Sequence, residues 1–154
     1  MLKNKKGFTL IEILVVVAIV GLLAVLAVVA LNSARKTARD TERVGSMKQV
    51  QVEMERVFSE NNSYELSGCT TSGVAVSSCA APLSNYLPGI SSIKDPVASK
   101  TCLVENGVCV DKAPCDYTVA VDPSNSDYKF CFYTEGEIGN LTQGMHYISP
   151  LGIQ

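Results

Sequence analysis

A long apolar run near the start of the chain limits its possible folds more than any other feature. The 24 residues from Phe8 to Leu31 include only two polar residues, Thr9 and Glu12, with Gly21 as one further interruption. As a helix this run would be about 36 Å long, enough to cross the roughly 30 Å hydrocarbon core of a bilayer with some tilt. We therefore predict a membrane-spanning helix over residues 8–31.

The segment after this run continues the helix with an amphipathic pattern. From Asn32 to about Asn62 there is no proline, and apolar residues recur every three or four positions, which places them on one helical face. These apolar residues are Val44, Met47, Val50, Met54, Val57 and Phe58. No turn signal separates the two segments, so we predict one helix from Phe8 to about Ser59, on the order of 80 Å long and ended by Asn61-Asn62-Ser63.

Two later runs predict a β-hairpin. Residues 117–121 and 128–134 are rich in β-branched and aromatic residues, and the turn-forming residues 122–127 separate them. Tyr128, Phe130 and Phe132 alternate onto one face, which we expect to pack on the apolar face of the helix. The predicted fold class is α+β. Its long N-terminal helix is membrane-spanning in the first half and amphipathic in the second, and packs on a small antiparallel β-sheet after a loop-rich stretch.

The cysteines indicate an exported, disulfide-stabilised domain. All six follow the apolar run, at Cys69, Cys79, Cys102, Cys109, Cys115 and Cys131. An even number in this position predicts disulfides in an oxidising compartment. Six cysteines allow 15 pairings, and the sequence leaves them open, with a preference only for the neighbours Cys69 and Cys79.

The charges flanking the apolar run leave its orientation ambiguous. Three lysines precede it, which favours a cytoplasmic N-terminus, but Arg35, Lys36, Arg39 and Arg43 follow it closely. The cysteines decide the orientation, because disulfides are unexpected on a cytoplasmic domain. Since Asp40 and Glu42 are interleaved with the four cations, we predict a solvated or intersubunit ion-pairing face. Binding of DNA or of a phospholipid surface is an alternative with less support.

Composition and motifs argue against an enzyme or a metalloprotein. The formal charge is 13 minus 15, or -2, so there is no general basic field for nucleic acid. No combination of nucleophile, base and orienting group is recognised, and we predict no enzymatic activity and no cofactor. The lone His146 is predicted to be structural. Asp116, Asp122, Asn125 and Asp127 offer oxygen ligands of the kind that calcium prefers. They lack a calcium-loop spacing and suit a hairpin turn, so no metal is predicted.

The junction before the apolar run resembles a known processing signal. Residues 5–12, Lys-Lys-Gly-Phe-Thr-Leu-Ile-Glu, resemble the prepilin cleavage motif of type IV pilins and of the pseudopilins of type II secretion systems. The resemblance covers a basic leader ending in Gly7, an aromatic new N-terminus at Phe8, and a lone Glu12 in an apolar helix. A departure is the absence of proline near the end of the run, where Val28 lies.

The resemblance implies a processing and assembly pathway. A prepilin peptidase would cleave between Gly7 and Phe8, the amine of Phe8 would be methylated, and the apolar helices would pack in the centre of a filament. The regions are then a leader over residues 1–7, a transmembrane and filament-core helix over 8–31, and an exported pilin-like domain over 32–154. That domain has its amphipathic helix to about residue 60, followed by loops and sheet.

Removal of the leader would leave a mature charge of 10 minus 15, or -5. An ionised Glu12 costs on the order of 2.5 to 3.5 kcal/mol inside a bilayer, so it calls for a partner. The new amine of Phe8 on a neighbouring copy supplies one, and the prediction is that Glu12 directs assembly.

The predicted function is therefore a structural subunit of a type IV pilus-like filament, in motility, adhesion or DNA uptake. Its partners would be copies of itself, the prepilin peptidase and a pilus or secretion assembly machinery. Before assembly it would be a single-pass protein of the cytoplasmic membrane with its N-terminus inside, and afterwards an extracellular or periplasmic filament. The alternatives are a pseudopilin of a type II secretion system, a single-pass anchored exported domain, and a secretory protein cleaved after Val25-Leu26-Ala27.

Overall fold

The computed structural model describes residues 7–154. Two α-helices and six β-strands form the regular elements: α1 (Leu10–Asn61), α2 (Leu83–Tyr86), β1 (Val104–Glu105), β2 (Val108–Cys109), β3 (Thr118–Val121), β4 (Lys129–Thr134), β5 (Gly144–Ser149) and β6 (Gly152–Ile153). Three short 3-10 turns lie in the loop-rich stretch, at Glu65–Ser67, Val76–Ser78 and Ile90–Ser92. The predicted α+β class is confirmed.

Helix α1 is 52 residues long and contains no proline. It begins at Leu10, two residues later than the predicted start at Phe8, and ends at Asn61. Asn62 has a φ of 53°, a left-handed conformation that stops a helix and that asparagine tolerates better than most residues. The Asn61 side chain donates a hydrogen bond to the carbonyl oxygen of Val57 at 2.9 Å, which satisfies one of the last helical carbonyls.

By packing, the chain divides into two compact units, one up to Arg35 and one from Lys36 to Gln154. Among the described residues, the first unit consists mainly of the apolar part of α1, and its large apolar side chains from Phe8 to Leu31 are exposed. The second unit contains the rest of α1 and all other elements, and it has its own core.

The main sheet is antiparallel with the strand order β3-β4-β5-β6. Thr118 pairs with Cys131, and Phe130 pairs with Ile148, while an irregularity between Val119 and Val121 shifts the register at the end of β3. The predicted hairpin of residues 117–134 is therefore present. The continuation of the sheet through β5 and β6 was not predicted.

The second unit has three layers, because each strand of the sheet places alternate side chains on opposite faces. On one face, Phe130 and Phe132 of β4 pack in a single core with Met47, Val50 and other residues of α1. The opposite face carries the buried residues Cys131 and Tyr133, which cluster with residues of the β1–β2 hairpin. The expected packing of the aromatic strand on the apolar face of α1 is present, and a second, smaller core lies beyond the sheet.

Three disulfides link the elements that follow α1. They join Cys69 to Cys79, Cys102 to Cys115 and Cys109 to Cys131, with no free cysteine remaining. The first closes a loop whose two cysteines pack in the core with α1. The second joins the segment before β1 to the segment before β3, and the third joins β2 to β4. Disulfide stabilisation of the domain, expected from the cysteine count, is confirmed.

Candidate functional site

Thr9 caps the N-terminal end of α1. Its hydroxyl oxygen accepts a hydrogen bond from the backbone N–H of Glu12 at 3.3 Å, and its carbonyl oxygen accepts one from the N–H of Ile13 at 3.4 Å. Thr9 is thus the N-cap, with Glu12 three residues later, the spacing of a capping box. A carboxylate in the first turn also interacts favourably with the helix dipole. Glu12 therefore also belongs to the N-terminal turn of α1, through its backbone N–H and the position of its carboxylate, which was not predicted from the sequence.

The first unit presents an apolar surface that the chain itself does not cover. From Phe8 to Leu31 the large apolar side chains are between 50% and 79% exposed. Among the described residues, α1 is the helix that is long and apolar enough to cross a membrane, and none of its most apolar window is buried. A surface of this size and composition requires lipid or other apolar helices as its surroundings.

In the second unit, Arg39 and Arg43 of the basic cluster form an ion network within the chain. Arg43 is fully buried, and its guanidinium contacts Asp95 at 2.6 Å and both Asp40 and Glu135 at 2.8 Å. Arg39 donates two parallel hydrogen bonds to the Glu135 carboxylate, at 2.6 and 2.7 Å. This network joins α1 to the loop before β1 and to the residue that follows β4.

The carboxylates of the network also accept hydrogen bonds from backbone N–H groups and so hold the nearby loops in place. Asp40 accepts hydrogen bonds from the N–H groups of Glu135 and Gly136, both at 2.9 Å. Asp95 accepts hydrogen bonds from the backbone N–H groups of Val97 and Ala98. Each buried charge therefore has several partners, as burial of a charge requires.

Electrostatics within the network favour the charged forms. The hydrogen bonds from Arg39 lower the pKa of Glu135 to about 2, against the effect of burial and with help from Arg43. Burial acts to lower the pKa of Arg43, but hydrogen bonds to Asp95, Asp40 and Glu135 outweigh it and raise that pKa. Glu135 and Arg43 are therefore both charged at neutral pH, and we call the network that they share the ionic clamp.

This arrangement corrects the predicted solvated or intersubunit face. The prediction was wrong for Arg43 and Asp40, which are buried and paired within the chain, and for Arg39, whose partner Glu135 belongs to the same chain. The physical reason is that acidic partners distant in sequence fold onto the helix. Arg35 and Lys36 are exposed, as predicted.

The four oxygen-bearing residues considered above as calcium ligands do not gather into one site. Asp116 is buried, and its carboxylate accepts hydrogen bonds from the backbone N–H groups of Asp95 and Tyr117. Asp127 lies in the hairpin turn and accepts a hydrogen bond from the backbone N–H of Tyr128. The Asn125 side chain accepts a hydrogen bond from the Ser63 hydroxyl. Asp122 is exposed. Within residues 7–154, the grouping with metal-ligand geometry is Cys102, Asp111 and Cys115, whose two sulfurs are already joined in a disulfide.

His146 lies in the sheet and is buried. Its Nε2 atom lies 2.7 Å from the carbonyl oxygen of Thr142 and 3.1 Å from the hydroxyl of Thr134, and its ring packs near Phe132. These contacts join β4 to β5 and fit the structural role predicted for this histidine.

The comparison with protein families identifies the N-terminal segment. Residues 2–28 match the family described as the Prokaryotic N-terminal methylation motif. This is the prepilin-type motif of type IV pilins and pseudopilins, so the resemblance seen in the sequence is confirmed over this segment. No curated protein and no solved structure matches the chain.

The motif supports a type IV pilin-like or pseudopilin protein, and the proteins that carry this motif are structural rather than catalytic. It implies processing by a prepilin peptidase and assembly into a pilus or secretion filament. Together with the apolar helix it fits a protein anchored in the membrane before assembly. Cleavage after Gly7, methylation of Phe8 and the assembly role of Glu12 stay predictions, and Lys5 and Lys6 lie outside the described residues.

Proposed function

We propose that this chain is a structural subunit of a type IV pilus-like filament. The observation that carries the proposal is the first unit, in which a processing motif leads into a helix whose apolar side chains from Phe8 to Leu31 are all exposed. Lipid satisfies such a surface before assembly, and the same helix of neighbouring copies satisfies it afterwards. The second unit, with its own core and three disulfides, would form the outer layer of the filament.

Phe8 and Glu12 would provide the register between subunits. After cleavage behind Gly7 and methylation, the amine of Phe8 is a cation at the start of the helix. Glu12 is exposed in the isolated chain. Two opposite charges that are each costly in an apolar environment are less costly as a pair, which favours addition of the next copy in one axial position.

The disulfides favour a filament outside the cell over a secretion pseudopilus. Three crosslinks in a domain of 119 residues, from Lys36 to Gln154, restrict the unfolded state, which suits exposure to the extracellular medium. The pseudopilin of a type II secretion system is the second candidate. Both share the processing and differ in whether filaments extend beyond the cell surface.

The first experiment is intact-mass measurement and N-terminal sequencing of the mature protein, followed by imaging of filaments sheared from cells. We expect a chain that starts at Phe8 with one added methyl and that is recovered in surface filaments. A start after Ala27 would contradict the processing class. Correct processing with no surface filament would favour the pseudopilin, and an unprocessed membrane protein would favour a simple anchored domain.

The role of Glu12 needs a variant that separates charge from helix capping. Glu12→Gln removes the charge but suits the third position of a capping box as glutamate does. Thr9→Ala is the matched control, because it removes the cap and keeps the charge. We expect Glu12→Gln to be processed but to enter filaments slowly, and Thr9→Ala to assemble closer to the normal rate. Assembly of Glu12→Gln at the wild-type rate would contradict the proposed pairing.

A further inference from the structure

The outward face of the β1–β2 hairpin is apolar with one acidic residue. Cys109 points inward to the smaller core, so by alternation its neighbour Val108 and the opposite residue Glu105 point outward. One step further, Val110 donates its N–H to the carbonyl oxygen of Leu103, and these two side chains also point outward. Leu103, Val108 and Val110 are 53%, 50% and 39% exposed. We call these three residues and Glu105 the hairpin face.

The hairpin face is held rigidly. A two-stranded hairpin is marginally stable alone. Here Cys109 of β2 is disulfide-bonded to Cys131, and Cys102, two residues before β1, is disulfide-bonded to Cys115. The hydroxyl oxygen of Tyr147 also accepts a hydrogen bond from the backbone N–H of Cys109 at 2.9 Å. Two of the three disulfides therefore keep an apolar surface in a fixed position facing solvent, which is expected of a binding surface.

A complementary groove lies between α1 and β6. It has a volume of about 560 Å³, and its apolar walls include Val44 of α1, Ile138 and Leu141 of the β4–β5 connection, and Ile153 of β6. These four side chains are only partly buried. Lys48 of α1 supplies one cation at the groove. We call this the α1–β6 groove.

The two surfaces match in chemistry but lie on different sides of the sheet. The groove borders α1, which covers one face, whereas the hairpin packs against the opposite face. Lys48 and Glu105 are both exposed, and neither forms a salt bridge within residues 7–154. One chain cannot bring its own hairpin face into its own groove, but two copies can bring them together.

We propose that the hairpin face of one copy inserts into the α1–β6 groove of the next, with Glu105 against Lys48. Such a contact joins two different surfaces, so it repeats head to tail and extends a polymer rather than closing a dimer. The proposal rests on the proposed filament function. Three aliphatic side chains bury too little area for a stable complex alone, so the contact forms when helix packing brings copies to a high effective concentration.

The first test is zero-length carbodiimide coupling of the wild-type full chain, followed by mass spectrometry of the peptides. We expect a Lys48–Glu105 crosslink in assembled filaments and its absence in detergent-dispersed monomers. Filaments without that crosslink, or an equal yield in monomers, would overturn the contact.

The second test is charge reversal in the full chain. Lys48→Glu and Glu105→Lys should each lower the sedimentable filament fraction about five-fold, since each places like charges together. The double variant should restore it to within about two-fold, since the pair is re-formed with opposite signs. Lys94→Glu and Glu65→Lys, exposed and outside both surfaces, are the matched controls and should assemble normally.

The outcomes separate the contact from the filament function. Normal assembly of both single reversals, or a double variant no better than the singles, overturns the contact and leaves the filament function intact. If the processed wild-type chain forms no filament, the filament function fails and the contact fails with it.

Discussion

The two units of the chain bury their apolar side chains to opposite extents. In the unit up to Arg35 the large apolar residues are exposed, whereas in the unit from Lys36 onward Met47, Val50 and Met54 of the same helix are fully buried. Both segments belong to α1, and neither contains proline. The difference teaches that the second unit supplies its own apolar environment and the first depends on one from outside.

The two units also differ in whether their charged side chains find partners within the chain. The second unit buries Arg43 and surrounds it with carboxylates, while Glu12 of the first unit is exposed. One unit pairs its costly charges by folding, and under the proposed function the other pairs its charge by assembly.

Loss of Arg43 should destabilise the second unit most. Arg43→Met replaces the guanidinium with an apolar end group on an unbranched side chain. It leaves Asp40, Asp95 and Glu135 without their shared cation, which costs about 3 to 5 kcal/mol. Arg56→Met is the control, because Arg56 itself is exposed. Its ion pairs with Glu53 and Glu60 and its cation–π contact with Tyr86 are each worth about 1 kcal/mol or less. Denaturant unfolding of the full chain in detergent measures both. Equal effects of the two variants would show that the buried network contributes little.

Two valines of α1 with similar exposure should respond differently to charge. Val16 in the first unit is 52% exposed and Val52 in the second is 64% exposed. Val16→Lys places a charge in the predicted membrane span and should cost about 2.5 to 3.5 kcal/mol of insertion free energy. Val52→Lys faces water and should change stability by about 0.5 kcal/mol or less.

The membrane-integrated fraction of each valine variant, measured by alkaline extraction, tests this difference. A Val16→Lys protein that integrates like the wild type would break the distinction between the two units.

The sequence was sufficient for the parts of the fold with local signals. The length of the apolar run, the period of the amphipathic segment and the alternation of Tyr128, Phe130 and Phe132 predicted α1 and the β3–β4 hairpin. Two local signals were present but missed. Thr9 and Glu12 have capping-box spacing, and Asn106-Gly107, whose φ angles are 51° and 74°, is a dipeptide favoured in two-residue hairpin turns.

Other features depend on contacts between distant residues and have no local signal. The partners of Arg43 lie 52 and 92 positions away, at Asp95 and Glu135, so its burial was not predictable from the alternating charges near it. For the same reason the α1–β6 groove has no sequence pattern. The pairings of Cys102 and Cys109 were also left open, since cysteine spacing does not determine connectivity.

Acid should weaken the ionic clamp in a defined pH window. The pKa of Glu135 falls from 4.5 to about 2 on folding, so its stabilisation is fully present above about pH 4.5 and is lost as pH falls towards 2. With allowance for solvent screening, this stabilisation is on the order of 2 kcal/mol. The unfolding free energies of wild type and Glu135→Gln should therefore differ at pH 6 and converge near pH 2. A difference that stays constant over this range would show that Glu135 does not titrate as described.

The smallest predicted effect concerns two helical glycines, one in each unit. Gly21 and Gly45 both lie within α1, and a Cβ added to either would meet nothing within 4 Å in the isolated chain. Because alanine favours a helix over glycine by up to about 1 kcal/mol, Gly45→Ala should stabilise the second unit by about 0.5 to 1 kcal/mol, measured by thermal unfolding. Gly21→Ala should leave that unfolding unchanged, since it lies outside the cooperative core. Reduced filament assembly of Gly21→Ala, with normal assembly of Gly45→Ala, would show that helices of neighbouring copies approach closely at Gly21. The residue at position 21 would then be determined by contacts with other copies and not by contacts within the chain.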